Sequence, residues 1–236
     1  MRTRKSGSNL LNVLILLGFI GLVIMALLNM FRRGKADGVV AFFGNSSGGV
    51  YSAQMMSSGS TSTGLSLPGL SQRDINQYRT EEEHKLWSPS ACSATATAAV
   101  LNSLGFKVRT VDVLDIMRES KAISPSNGLY DYTVFKIIGD RYNLRTDYRE
   151  GGNIDAHYEW ILDNIRKGNP VIINVRDPQY FPNGHFIAGF KINTDNTVSV
   201  VNSDPVPGSS VIQNWPVDAL KTYFSRVPRS AVYFPR

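Results

Sequence analysis

The chain has 236 residues, 25 Lys plus Arg against 19 Asp plus Glu, and a formal net charge of +6. Six of the basic residues flank one apolar stretch and the rest are scattered with no aromatic-interleaved run, which excludes nucleic acid as an expected partner. One cysteine excludes an intramolecular disulfide framework, and three histidines without His-x-x-x-His or Cys-x-x-Cys spacing give neither a zinc site nor any other expected metal or cofactor.

Residues 1–9 form a short basic tail, and residues 10–31 are apolar except for Asn12 and Asn29. At about 1.5 Å rise per residue this run is long enough to cross a hydrocarbon core of about 30 Å, so a transmembrane helix is expected. It leads into Arg32-Arg33-Gly34-Lys35 rather than a small-x-small exit, which favours a retained anchor over a cleaved signal. Basic residues tie across the span, so they do not orient it. A long domain after one early span suits a single-pass protein with that domain outside the cytoplasm. Residues 32–75 are expected to be a flexible linker, since Ser46-Ser47-Gly48-Gly49 and Ser57 to Gly64 bury too little apolar surface to offset ordering entropy. Residues 76–236 then make one ordinary domain.

Within that domain helices precede strands, an α+β order. Ala91 to Leu104 is Ala-rich and stops at Gly105, where a left-handed cap belongs, so it is expected to be a buried central helix. Asp112 and Asp131 can cap helices through about Lys121 and Tyr142. Asn153 can start another, on which Ile154, Tyr158, Ile161 and Ile165 recur at helical spacing, with His157 assigned to the solvent side. Pro170 to Val175, His185 to Ile192 and Thr197 to Asn202 are expected strands, the last two joined by a turn at 193–196. Pro216 fits the first turn of a helix to about Ser225, and Ser230 to Phe234 reads as a closing strand.

Cys92 stands in the first turn of the central helix, where unsatisfied backbone N–H groups and the macrodipole favour thiolate. Alone it would be a buried small hydrophobe by default. His185 follows Pro182-Asn183-Gly184 and opens an apolar strand, which makes it the best imidazole of the three. A hairpin returning from it brings Asn202-Ser203-Asp204-Pro205 to the same end of the sheet. Asp204 is the first choice to orient the ring and Asn202 the alternative.

The segments Cys92-Ser-Ala-Thr-Ala, Gly168-Asn-Pro-Val-Ile-Ile-Asn-Val, Gly184-His-Phe-Ile-Ala-Gly-Phe and Val198-Ser-Val-Val-Asn-Ser-Asp-Pro205 together resemble the bacteriocin-processing, double-glycine-leader cysteine peptidases and their stand-alone papain-like relatives. The resemblance runs from about Trp87 to Phe234. It implies a papain-like fold, with N-terminal helices on an antiparallel sheet. It also implies a Cys92–His185–Asp204 triad and hydrolysis of a peptide or protein substrate through a thioester. Two departures go with it. The family's oxyanion-hole glutamine six residues before the cysteine is Leu86 here, and the following glycine is Ser93. They leave two alternatives: an inactive peptide- or protein-binding homologue, and a cell-wall amidase or acyltransferase with the same Cys-His chemistry. Oligomeric state has no signature in the sequence.

Overall fold

The structure is a computed structural model that describes residues 66–236. The expected transmembrane helix at 10–31 and most of the expected linker lie outside the described residues. Among the described residues no helix is long and apolar enough to cross a membrane.

The helices in chain order are α1 (Glu81–Trp87), α2 (Cys92–Ser103), α3 (Thr110–Glu119), α4 (Val134–Arg141), α5 (Ile154–Arg166) and α6 (Val217–Ser225). The strands are β1 (Ile123–Ser124), β2 (Gly128–Leu129), β3 (Leu144–Glu150), β4 (Val171–Asp177), β5 (Phe181–Ile192), β6 (Thr197–Asn202), β7 (Ile212–Pro216) and β8 (Arg229–Pro235). β1 and β2 form a small antiparallel pair, and the other six make one sheet in the order β3-β8-β4-β5-β6-β7. Every neighbouring pair in it is antiparallel.

Alternation along the strands sends side chains into two cores, one on each face of the sheet. Ile172, Phe186, Ala188, Ala231 and Tyr233 join the core built around α2, α3 and α4. Val171, Ile173, Val175, Ile187 and Val232 join the second, with Tyr158, Ile161 and Ile165 of α5 and Leu220 and Phe224 of α6. The helices thus cover both faces rather than collecting on one.

The composition of α2 explains its central place. Ser93 to Leu101 is buried on all sides, which only small side chains permit. Of the three hydroxyls that such burial would orphan, two bond back into the helix, Thr95 Oγ1 to the Ala91 carbonyl at 3.0 Å and Thr97 Oγ1 to that of Ser93 at 2.8 Å, and Ser93 Oγ meets the Met117 sulfur at 3.7 Å. At the far end Gly105 takes φ +94°, and the Phe106 N–H closes the helix on the Leu101 carbonyl at 3.1 Å.

The compact fold begins earlier than residue 76. Leu67 is 2% exposed within the α2 core and Gln72 is 1% exposed, so the last part of the expected linker is packed chain. His157 also departs from expectation. It is buried, with Nε2 2.7 Å from Ser230 Oγ and Nδ1 3.1 Å from the Gly151 carbonyl. It lies three residues after Ile154 and four before Ile161, on the apolar stripe of α5, not on its wet face.

One close approach gives a direct test of packing. A β-carbon at Gly139 of α4 would overlap Thr146 Oγ1 on β3 and lie 3.3 Å from the Leu144 carbonyl oxygen. Gly139→Ala is expected to cost about 1–2 kcal/mol, an overpacking penalty partly offset by the better helix propensity of alanine. Adding Thr146→Ala should recover most of that loss, as read by urea denaturation of the single and double variants.

Candidate active site

Cys92 begins α2, and the preceding Ala91 supplies no side-chain cap, so the first N–H groups of the helix remain open toward the thiol. The sulfur faces the backbone N–H groups of Phe186, Ser93 and its own residue. Phe186 directly follows His185 on β5, so the sulfur lies against the backbone of the strand that carries the imidazole.

Burial nevertheless pushes the Cys92 thiol up. The Phe186 and Ser93 N–H groups oppose this without overcoming it, and the charge of Asp204 adds to the rise. The helix start therefore does not by itself make a resting thiolate, contrary to the expectation from position alone. His185 is 4% exposed, and burial lowers its pKa to about 4 against the opposing effects of the Asn202 hydrogen bond and the Asp204 charge; Arg73 lowers it further. Both shifts favour the uncharged form, thiol at Cys92 and neutral imidazole at His185.

The ring is held from two sides. Phe181, at the start of β5, stacks on it with centroids 4.4 Å apart and planes 10° from parallel. The β4–β5 turn lies at 178–180, pinned by Asp177 Oδ1 accepting from the Gln179 and Tyr180 N–H groups at 2.8 and 2.9 Å. Pro182-Asn183-Gly184 thus belongs to the strand. Gly184, at φ +90°, carries the irregular stretch where β5 breaks register with β4 between Val175 and Asp177.

On the other side, His185 Nε2 is 2.8 Å from Asn202 Oδ1. Asn202 ends β6 opposite Ile187, and so shares a sheet face with Ile187 and His185. The carboxylate expected on the ring is elsewhere. Asp204 takes a bidentate pair from Arg73, Nε to Oδ1 at 2.9 Å and Nη2 to Oδ2 at 2.7 Å. β6 has ended by residue 204, so Asp204 leaves the face that Asn202 shares with the imidazole, and a guanidinium claims it.

Gln72 is the residue that sequence reasoning missed. Its Nε2 donates to the Ser88 carbonyl at 2.7 Å, and its Oε1 accepts from Ser203 Oγ at 2.8 Å. Its backbone N–H bonds the Ser203 carbonyl at 3.0 Å, and its own carbonyl accepts from Tyr78 Oη at 2.8 Å. One buried amide therefore ties the N-terminal segment, the loop leading into Cys92 and the residue after Asn202. It stands twenty positions before Cys92. A spacing of six finds only Leu86, which is 55% exposed on α1.

A thiol at the open end of a buried helix, facing a sheet on which an amide holds an imidazole, defines the papain-like class. The family comparison agrees on this. The model of the Peptidase_C39 like family matches residues 65–231, and the chain belongs to that family. A crystal structure described as a C39-like peptidase from Bacillus anthracis is similar at 14% identity, covering 62% of this chain and 90% of its own, with a TM-score of 0.42. No curated protein matches the chain.

Proposed function

We propose that this protein is a cysteine peptidase that hydrolyses peptide bonds through a thioester on Cys92, with His185 as general base and Asn202 orienting the ring. What carries the reading is the His185 Nε2 to Asn202 Oδ1 contact of 2.8 Å, since a ring engaged at Nε2 presents Nδ1 for the thiol proton. In acylation Nδ1 takes that proton as sulfur attacks the carbonyl carbon, and the imidazolium then returns it to the leaving amine. Water repeats the cycle on the thioester. The Cys92 backbone N–H is the main-chain donor for the oxyanion. Gln72 braces the loop entering the site, its Nε2 donating to the Ser88 carbonyl at 2.7 Å and to Asp204 Oδ2 at 3.4 Å, so both of its hydrogens are spent on that brace and not on the oxyanion. Asp204 sets the position of Arg73 and of the β6 end rather than orienting the imidazole.

The membrane assignment belongs to the same proposal. The apolar run 10–31 would anchor the chain, with the peptidase domain outside the cytoplasm, acting on a peptide or protein at the envelope.

Incubating the full-length chain with a peptide library, quenching in acid and mapping adducts by mass spectrometry tests the reading. Cleavage with an acyl adduct on Cys92 is expected. Cleavage without a Cys92 adduct, or no cleavage of any peptide, would overturn it. Hydrolysis of peptidoglycan fragments instead would move the assignment to a cell-wall amidase. The orienting role is separable: Asn202→Ala should lower kcat by about 10-fold or more. Asp204→Asn should leave it within a few-fold, because the pair it breaks is half-exposed and such pairs contribute little.

A further inference from the structure

Asn202 is itself held by a chain of hydrogen bonds reaching the edge strand β7. Its Nδ2 donates to Gln213 Oε1 at 3.2 Å, and the same oxygen accepts from Trp215 Nε1 at 2.8 Å. Gln213 Nε2 donates to the Ser210 carbonyl at 2.9 Å. Asn202 Oδ1 also accepts from the Asp204 backbone N–H at 3.2 Å.

The polarity of this chain is fixed at its ends. An indole N–H only donates and a backbone carbonyl only accepts, so Gln213 has one allowed orientation, with Oε1 toward Trp215 and Nε2 toward Ser210. Gln213 Oε1 can then meet only the amide nitrogen of Asn202. That turns Asn202 Oδ1 toward His185, an orientation the Asp204 N–H independently requires. An amide oxygen has no proton to give, so Nε2 of the neutral ring must carry one and Nδ1 must hold the lone pair. We propose that Gln213 and Trp215 are positioning residues that fix the tautomer of His185 through Asn202, and so set which ring nitrogen is basic toward Cys92. Trp215 also adds to the aromatic cover of the ring, its centroid 6.4 Å from that of Phe181.

The tautomer assignment stands on the hydrogen bonds alone; its catalytic consequence rests on the peptidase reading. The test is nitrogen NMR of the full chain labelled with 15N at histidine, with the His185 signals assigned by their loss in His185→Gln, alongside steady-state hydrolysis. The wild type should show Nε2 protonated and Nδ1 bare at pH 7. Gln213→Leu should mix the tautomers and lower kcat about tenfold with little change in KM. Gln213→Glu keeps an acceptor for both Asn202 and Trp215 while losing the donor to the Ser210 carbonyl, and should restore the Nε2–H form at some cost in stability. Trp215→Phe removes one donor while keeping an aromatic ring, and should give a smaller shift in the same direction; it carries the test if Gln213→Leu fails to fold. A wild type protonated at Nδ1, or tautomers unchanged in both Gln213→Leu and Trp215→Phe, would overturn the proposal. If the wild type hydrolyses nothing, the peptidase reading fails, and the NMR result still decides the tautomer.

Discussion

Cys92→Ala and His185→Ala are each expected to reduce peptide hydrolysis by about 10³-fold or more, and the double variant should fall no further. Under the proposed mechanism the non-additivity follows from the division of labour between thiol and imidazole. With the thiol held up and the imidazole at about 4, neither group is active at rest, and attack requires the proton to pass between them. Removing either partner removes the same event. Steady-state kinetics of the two single variants and the double variant checks this, with circular dichroism to show that each is folded. Losses that multiply would mean that the two side chains act in separate steps, and the shared-proton mechanism would be wrong.

The domain is also expected to lose about 3 kcal/mol of stability between pH 6.5 and pH 4 on account of His185 alone. Its folded pKa, about 4, lies below the ordinary 6.5 because the ring is buried. The sign follows from proton counts: below 6.5 the unfolded chain binds a proton that the folded ring refuses, so stability rises with pH across this interval and is complete above it. Burial lowers the pKa of His157 as well, which acts in the same direction. Most of the His185 loss is reached by pH 4.5, where carboxylates have also begun to titrate, so the His185 share is read by comparison with a variant that lacks the ring. Urea denaturation at pH 7 and pH 4.5 measures it. His185→Gln should lose distinctly less than the wild type over that step, and an equal loss would mean that the ring charges freely in the fold.

Much of this was legible in the residues because the signals were local. The alanine run and Gly105 mark α2, β-branched runs mark β4 to β6, and an asparagine cap with helical spacing marks α5. Cys92, His185 and Asn202 each sit on one of those elements. β3 was missed since Leu144 to Glu150 is a charged, half-exposed edge strand with weak alternation, and β7 since five residues ending in proline carry little period. α1 has only seven residues. The choice between Asn202 and Asp204 turned on where β6 ends and on Arg73, a partner more than a hundred residues away, which no local pattern encodes. Gln72 was hidden for the same reason. Its role comes from contacts to residues 88 and 203, and a fixed offset from the cysteine points to the wrong side chain.

The buried segment from Leu67 to Arg73 also sets a lower limit on what can be excised from this protein. A fragment cut at residue 76 would strip the Ser88 carbonyl and the Ser203 hydroxyl of their partners and leave Asp204 without its counter-ion, all beside the candidate site. The described chain therefore enters the domain at Gln72 and Arg73, beside Ser88 and Asp204.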